Sequence, residues 1–147
     1  MKTNRLHPLI PAFLALAAAC GGEAKGPAEL DTLHDTCAFC RMPVSDPHLA
    51  AQLLVPSEIP KFYDDLGCLA KDLKGRQLPR GAAIYVADHR TGTWIPARTA
   101  CYTRVPGLET PMGSHLVAHA DPASRDADPD ARGGTPVASA SLWRLPR

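Results

Sequence analysis

The residues of this chain best suited to chemistry are Cys37-Ala38-Phe39-Cys40-Arg41-Met42. Cys37 and Cys40 form a C-x-x-C, and Met42 stands two residues after Cys40. In an extended strand, residues i and i+2 point to one face, so a thiolate and a thioether would meet at one point. Soft sulfur donors of that kind select a soft ion, Cu(I) above all. The same residues also suit plainer roles. A C-x-x-C serves in disulfides, in half of a zinc site and in redox pairs, and a lone Met is usually core filler.

Met112 strengthens the metal reading. It is the only methionine besides Met1 and Met42. Both Met42 and Met112 lie beside Pro in turn-rich stretches, not inside the apolar runs where a packing Met belongs. Gly113 would let the backbone approach a ligand closely, and His115 adds an imidazole three residues on. His34, His48, His89 and His119 read as solvent-exposed.

The start of the chain reads as a targeting segment. Lys2 and Arg5 precede an apolar run, Leu9 to Ala19, that is too short to span a bilayer and has the length of a signal-peptide core. Ala17-Ala18-Ala19 before Cys20 resembles a bacterial lipobox, although Leu16 lies one place too early for the usual pattern. Cleavage before Cys20 would leave that thiol to be lipidated. Gly21 to Pro27 would then be a flexible tether. The organisation expected is a signal peptide over 1–19, lipidated Cys20 with its tether over 20–34, and one domain over 35–147. A formal net charge of +1 gives no pointer to nucleic acid.

With Cys20 lipidated, Cys37, Cys40, Cys68 and Cys101 remain. In an oxidising compartment an even count makes disulfides the default, with the pairing left open. A thioredoxin-like redox motif would open a helix, whereas Pro43 follows this C-x-x-C within three residues and no amphipathic helix comes after it. No convincing Ser-His-Asp order, phosphate loop or carboxylate pair at catalytic spacing stands out. Asp64 and Asp65 are adjacent and read as a helix start.

The elements that would position these groups fall into two similar halves, about 35–88 and 89–138. In the first, residues 48–55 read as a mostly buried strand and 59–63 as a short extended piece. Leu66, Leu69, Ala70 and Leu73 have helical spacing behind an Asp cap, with Gly75 as the stop. Residues 84–87 are a β-rich strand, and 94–97 pair back through a Thr91-Gly92 turn. In the second, strands are expected at 100–105, 116–119 and 136–138. A helix capped by Asp121 is expected in between, limited by Pro122 and Pro129. The fold class is α+β, two small ββαβ-like halves with antiparallel strands.

Taken together, these stretches resemble the nitrous-oxide reductase accessory lipoproteins, the NosL family. The resemblance rests on the start ending at Cys20, on Cys37 to Met42, on Lys61-Phe62-Tyr63-Asp64-Asp65-Leu66-Gly67-Cys68, on Gly92 to Ala97, and on Thr110-Pro111-Met112-Gly113-Ser114. It covers most of residues 35–120. Arg41 stands where the family usually has Gly, and residues 121–132 are less helical than the family's last helix. The resemblance implies a fold similar to that of organomercurial lyases. It also implies a Cu(I)-binding lipoprotein on the periplasmic face of a membrane, outer membrane expected, which is not an enzyme. Cys40, Met42 and Met112 would be its ligands, with Cys37 and His115 as weaker additions. Apo nitrous-oxide reductase and its ABC-type membrane maturation complex would be its partners. The rival readings are an organomercurial-lyase-like thiol enzyme using Cys37, Cys40, Cys68 and Asp65, and a disulfide-stapled lipoprotein without metal.

Overall fold

The computed structural model describes residues 26–143. The expected signal peptide and Cys20 lie outside the described residues. Seven short strands form two antiparallel sheets. The first contains β1 (Ala51–Leu54), β2 (Lys61–Tyr63), β3 (Ala83–Ala87) and β4 (Trp94–Pro96) in the order β2-β1-β3-β4, with helix α1 (Leu66–Leu73) between β2 and β3. The second contains β5 (Cys101–Arg104), β6 (Leu116–His119) and β7 (Thr135–Val137) in the order β6-β5-β7. Helix α2 (Pro122–Ala127) and a 3-10 turn at Pro129–Ala131 separate β6 from β7, and α3 (Ser139–Leu142) follows. Each sheet is thus built on a ββαβ order with the first strand central. Hairpin strand β4 extends the first sheet beyond residue 88.

Helix α1 forms where the sequence supplies both ends and one apolar stripe. Asp65 has extended backbone and its Oδ1 accepts the Gly67 N–H at 2.6 Å, an N-cap bond. Leu66, Leu69 and Leu73 are buried, and Gly75 follows in the left-handed region at φ 74. Helix α2 repeats the device. Asp121 accepts the Ser124 N–H at 2.8 Å, and Pro122 occupies the first turn, where no N–H is needed. Pro129 cannot continue α2 and instead opens the 3-10 turn.

The two sheets share one core. Leu53, Tyr63, Leu69 and Val86 of the first unit pack in the same cluster as Tyr102, Leu116 and Ala118 of the second. The tail joins it too, because Trp143 sets its ring edge-on to Tyr102 at 5.2 Å. Asp88 and Ala118 make a parallel bridge between the sheets. The Asp88 carboxylate secures this seam, Oδ2 accepting from Ala120 N–H and the Ser124 hydroxyl at 2.8 Å each.

His119 departs from the sequence expectation. It is 0% exposed, and all four residues of β6 are buried. Period-2 alternation assumes a strand with one wet face, whereas β6 packs against both α1 and α2.

The seam between units constrains α1 as well. A Cβ on Gly67 would lie 2.7 Å from Ser114 Cβ and 3.0 Å from Asp65 Oδ1. In an open helix, Gly→Ala stabilises by about 1 kcal/mol. Here we expect Gly67→Ala to destabilise by about 1–3 kcal/mol, the usual cost of overpacking. Urea unfolding of the two proteins checks the sign.

Candidate metal centre

The C-x-x-C sits on a loop clipped to the free edge of β2. A buried amide leads the chain there: Gln52, within β1, accepts from Ala28 N–H at 2.7 Å and donates to Ala28 C=O at 3.1 Å. Thr36 and Pro43 then bridge antiparallel, closing the loop, while Cys37 bridges Phe62 in parallel. The Ala38 N–H donates to Phe62 C=O, the Cys37 N–H to Met42 C=O (both 2.8 Å), and the Arg41 N–H to Cys37 C=O at 3.0 Å. Cys40 is therefore in a turn, and Arg41 lies at φ 69. The expectation that Cys40 and Met42 share one face of an extended strand does not hold. The left-handed Arg41 reverses the chain between them.

Three thiols and one carboxylate converge inside this loop. The donor atoms of Cys37, Cys40, Asp64 and Cys68 all lie within 4.8 Å of one another. Cys37 and Cys68 are buried and Cys40 is partly exposed. The Cys40 thiol donates to Asp64 Oδ2 at 3.2 Å. Asp64 is only 2% exposed, and its Oδ1 is buried without a hydrogen-bond partner among the described residues. A buried carboxylate oxygen left unpaired is costly, and a cation would satisfy it. Burial pushes the Cys40 thiol up, with Asp64 and Cys37 adding to the rise. Cys68 is driven up by burial first and by Asp64 second. Both thiols hold their protons at neutral pH, and a bound ion would displace them. Sequence alone does not mark Cys68 as a metal ligand. Its signal was position: three residues after the helix cap, it falls in the first turn of α1, directly behind Asp64-Asp65.

Cys37, Cys40, Cys68 and Cys101 all carry free thiols. The disulfide default for an even count does not hold for these four. Cys101 stands apart on β5, paired in register with His119.

Asp65 ties the second unit to this cluster. Its Oδ2 accepts from the Thr110 hydroxyl at 2.7 Å and from the Met112 N–H at 2.9 Å. Cys40 and Met112 are thus fastened to consecutive carboxylates, Asp64 and Asp65. Met42 and Met112 are exposed, 56% and 41% respectively, so neither packs as core. His115 is half-buried at φ 57, and its Nδ1 bonds Leu108 C=O at 2.7 Å. It must donate there, which leaves Nε2 as the free nitrogen. His115 is not among the residues whose donor atoms converge with the thiols.

The loop has an internal copy. Residues 88–93 repeat residues 37–42 bond for bond. The Asp88 N–H donates to Thr93 C=O at 2.8 Å, the His89 N–H to Ala118 C=O at 2.8 Å, and the Gly92 N–H to Asp88 C=O at 2.7 Å. Gly92, at φ 71, occupies the place of Arg41. On this alignment Cys37 matches Asp88, Cys40 matches Thr91 and Cys68 matches Ser124. The oxygen copy satisfies itself, since Asp88 accepts from Ala120, Ser124, Arg90 and Thr91. The sulfur copy leaves Asp64 Oδ1 without a partner among the described residues.

Two substitutions probe this frame. Burial alone would raise the Asp65 carboxyl. Hydrogen bonds from Ser114, Thr110 and the Met112 and Gly67 backbone outweigh it, so Asp65 lies below the ordinary carboxylate value. A depressed folded pKa contributes stability above the unfolded value, near 3.9, that is lost as pH falls through it. Asp65→Asn should cost about 1–3 kcal/mol at pH 7 and should flatten the loss of stability below about pH 4; denaturant melts at pH 7 and pH 3 measure both. Arg41→Gly should instead stabilise by about 0.5–1 kcal/mol. It relieves left-handed strain of about 1–2 kcal/mol against the greater chain entropy of Gly, and the same melts check it.

No known family model matches this chain, and no curated protein matches it either.

Proposed function

We propose that this protein is a Cu(I) carrier that holds its ion at the Cys37, Cys40 and Cys68 thiols. The convergence of three thiols on a frame whose oxygen-lined copy needs no ligand is the observation that carries this reading. Thiolate and thioether donors favour Cu(I) over harder ions. The buried Cys37 and Cys68 hold the ion, and the partly exposed Cys40 is the ligand through which it passes. The exposed Met42 and Met112, on the two loops fastened to Asp64 and Asp65, serve as entry and exit donors. His115, through Nε2, is a weaker addition. Such a ligand set retains Cu(I) yet releases it by ligand exchange to a partner offering similar donors.

The resemblance to the NosL family supplies the wider setting of this proposal. The fold is NosL-like. The chain is anchored by lipid at Cys20 on the periplasmic face of a membrane and catalyses no reaction. Copper goes to apo nitrous-oxide reductase through an ABC-type maturation complex. Thiols held up by burial are poor nucleophiles, which disfavours the thiol-enzyme alternative. A second reading draws on Asp64: three thiolates and one carboxylate also complete a closed tetrahedral Zn(II) set.

Competition against a Cu(I) chelator and against Zn(II), under anaerobic reducing conditions, separates the two. We expect one Cu(I) per chain, retained in the presence of excess Zn(II). Cys40→Ser and Cys68→Ser should each cost more than about a hundredfold in Cu(I) affinity, about 2.7 kcal/mol. Met112→Leu should cost at least about tenfold, roughly 1.4 kcal/mol, with little change in the apo melting temperature. Preference for Zn(II), with Met112→Leu silent, would establish the zinc reading in its place.

A further inference from the structure

A second cluster of donors lies at the opposite end of β6 from the Met112 loop. His89 Nδ1 lies 2.7 Å from Asp128 Oδ2, and His119 Nε2 lies 2.9 Å from the same oxygen. The two imidazole rings meet edge to face at 6.1 Å. The three donor atoms fall within 4.8 Å of one another, with His119 and Asp128 buried and His89 partly exposed. None of these donors belongs to the cluster of Cys37, Cys40, Asp64 and Cys68, so the two sites are distinct.

The internal repeat shows that the fold does not require this chemistry. In the first unit the position of His119 is Tyr63 and that of Asp128 is Asp72, where one hydrogen bond of 2.7 Å ties strand to helix end. The position of His89 is Ala38. The second unit replaces a phenol and a methyl group with two imidazoles aimed at a single oxygen. Asp128 Oδ1 is already engaged by the Asp130 N–H at 2.9 Å, which orients Oδ2 toward both rings. His89 is held by its own N–H on Ala118 C=O and by His48 Nδ1 on its carbonyl. His119 Nδ1 is buried and makes no hydrogen bond among the described residues, so nothing but Asp128 holds the ring polar edge.

We propose that His89, His119 and Asp128 form a second metal site, for a divalent ion of the Zn(II) class. Two imidazole nitrogens and one carboxylate oxygen, with a water in the fourth position, are a common three-ligand set for Zn(II), and they are too hard to compete for Cu(I). The ion takes the place of the protons now shared with Oδ2. Bonds of about 2.0–2.1 Å in tetrahedral array put the ligand atoms about 3.3 Å apart, a widening of about half an ångström at each contact; the partly exposed His89 can supply its own, and a small rotation of Asp128 the other. Metal-bound His119 would carry its proton on Nδ1, where no acceptor waits. Lack of such an outer partner weakens metal sites by about 10–100-fold, so the affinity is modest. Its effect is to clamp the β3–β4 turn, β6 and the 3-10 turn together.

Co(II) is the probe, because thiolate ligation gives an intense charge-transfer band and nitrogen–oxygen ligation gives only d–d bands. Anaerobic titration of the full chain should show one Co(II) without the thiolate band, displaced by Zn(II). That signal should persist in Cys40→Ser and weaken at least tenfold in His89→Ala, whose metal-free melting temperature should stay near wild type. Asp128→Asn, keeping the shape of the side chain, should lose it too. At a hundredfold excess over its Kd, Zn(II) should raise the melting temperature of Cys40→Ser by about 5–10 °C. The proposal fails if every bound Co(II) carries the thiolate band in the wild-type chain, a result that needs no variant to fold. It fails equally if His89→Ala binds as the wild type does.

Discussion

The Asp65 carboxylate is the constraint on which the thiol centre depends. One oxygen caps α1 and so fixes where Cys68 begins its turn. The other holds Thr110 and the Met112 backbone, bringing the second unit onto the first. Its neighbour Asp64 faces the opposite way, toward Cys40. Successive residues of an extended segment point to opposite sides, so one dipeptide at the end of β2 serves the sulfur cluster and the seam between units at once. A helix started one residue later would lose both arrangements. Gly67 completes the constraint, since only a residue without Cβ lets the α1 N-terminus lie this close to Ser114.

How much was legible in the sequence follows from the range of the interactions involved. The strands 83–87, 94–96 and 116–119 and the caps at Asp65 and Asp121 are written in local chemistry, and the structure holds them at or within a residue of their expected places. The long apolar run 48–55 gives only a four-residue strand, because Pro47 to Leu49 are taken up by a turn. The α+β class and its two small antiparallel sheets were readable from the order of these elements. That Cys40, with Cys37 as a weaker addition, offers a donor was readable, the two being near in sequence. Cys68 was not, because its part depends on where α1 is docked. Membership in a core cluster and membership in a ligand set look the same along a chain. His119 was misread for a related reason. A strand covered on both faces loses the alternation by which a wet face is recognised.

The left-handed residue at Arg41 shows a case where the sequence contained the hint and a homologous position inside the same chain explains it. Gly92 fills the equivalent place in the second loop, where φ > 0 carries no Cβ penalty. The loop's hydrogen bonds impose the conformation whichever residue is present. Strain of this kind persists where surrounding structure over-determines the backbone. Here the determining bonds are the bridge from Cys37 to Phe62 and the closure at Thr36 and Pro43.

The repeat also separates what the frame needs from what function adds. A loop hooked on the edge of a strand, followed by a capped helix, creates a small buried space beneath the hook in both units. In the second unit the space is filled by Asp88, Thr91 and Ser124, and every oxygen of Asp88 has donors. That is the economical solution for stability, because buried polar groups are favourable only when paired. In the first unit the same space holds three weakly hydrogen-bonding thiols around a carboxylate with one oxygen unpaired among the described residues. Weak S–H donors cannot satisfy Asp64 as hydroxyl and backbone N–H groups satisfy Asp88. Had stability alone shaped this space, the oxygen solution was already available within the chain. The difference between the two copies is therefore the strongest physical argument that the sulfur cluster exists to meet a ligand that the protein itself does not supply.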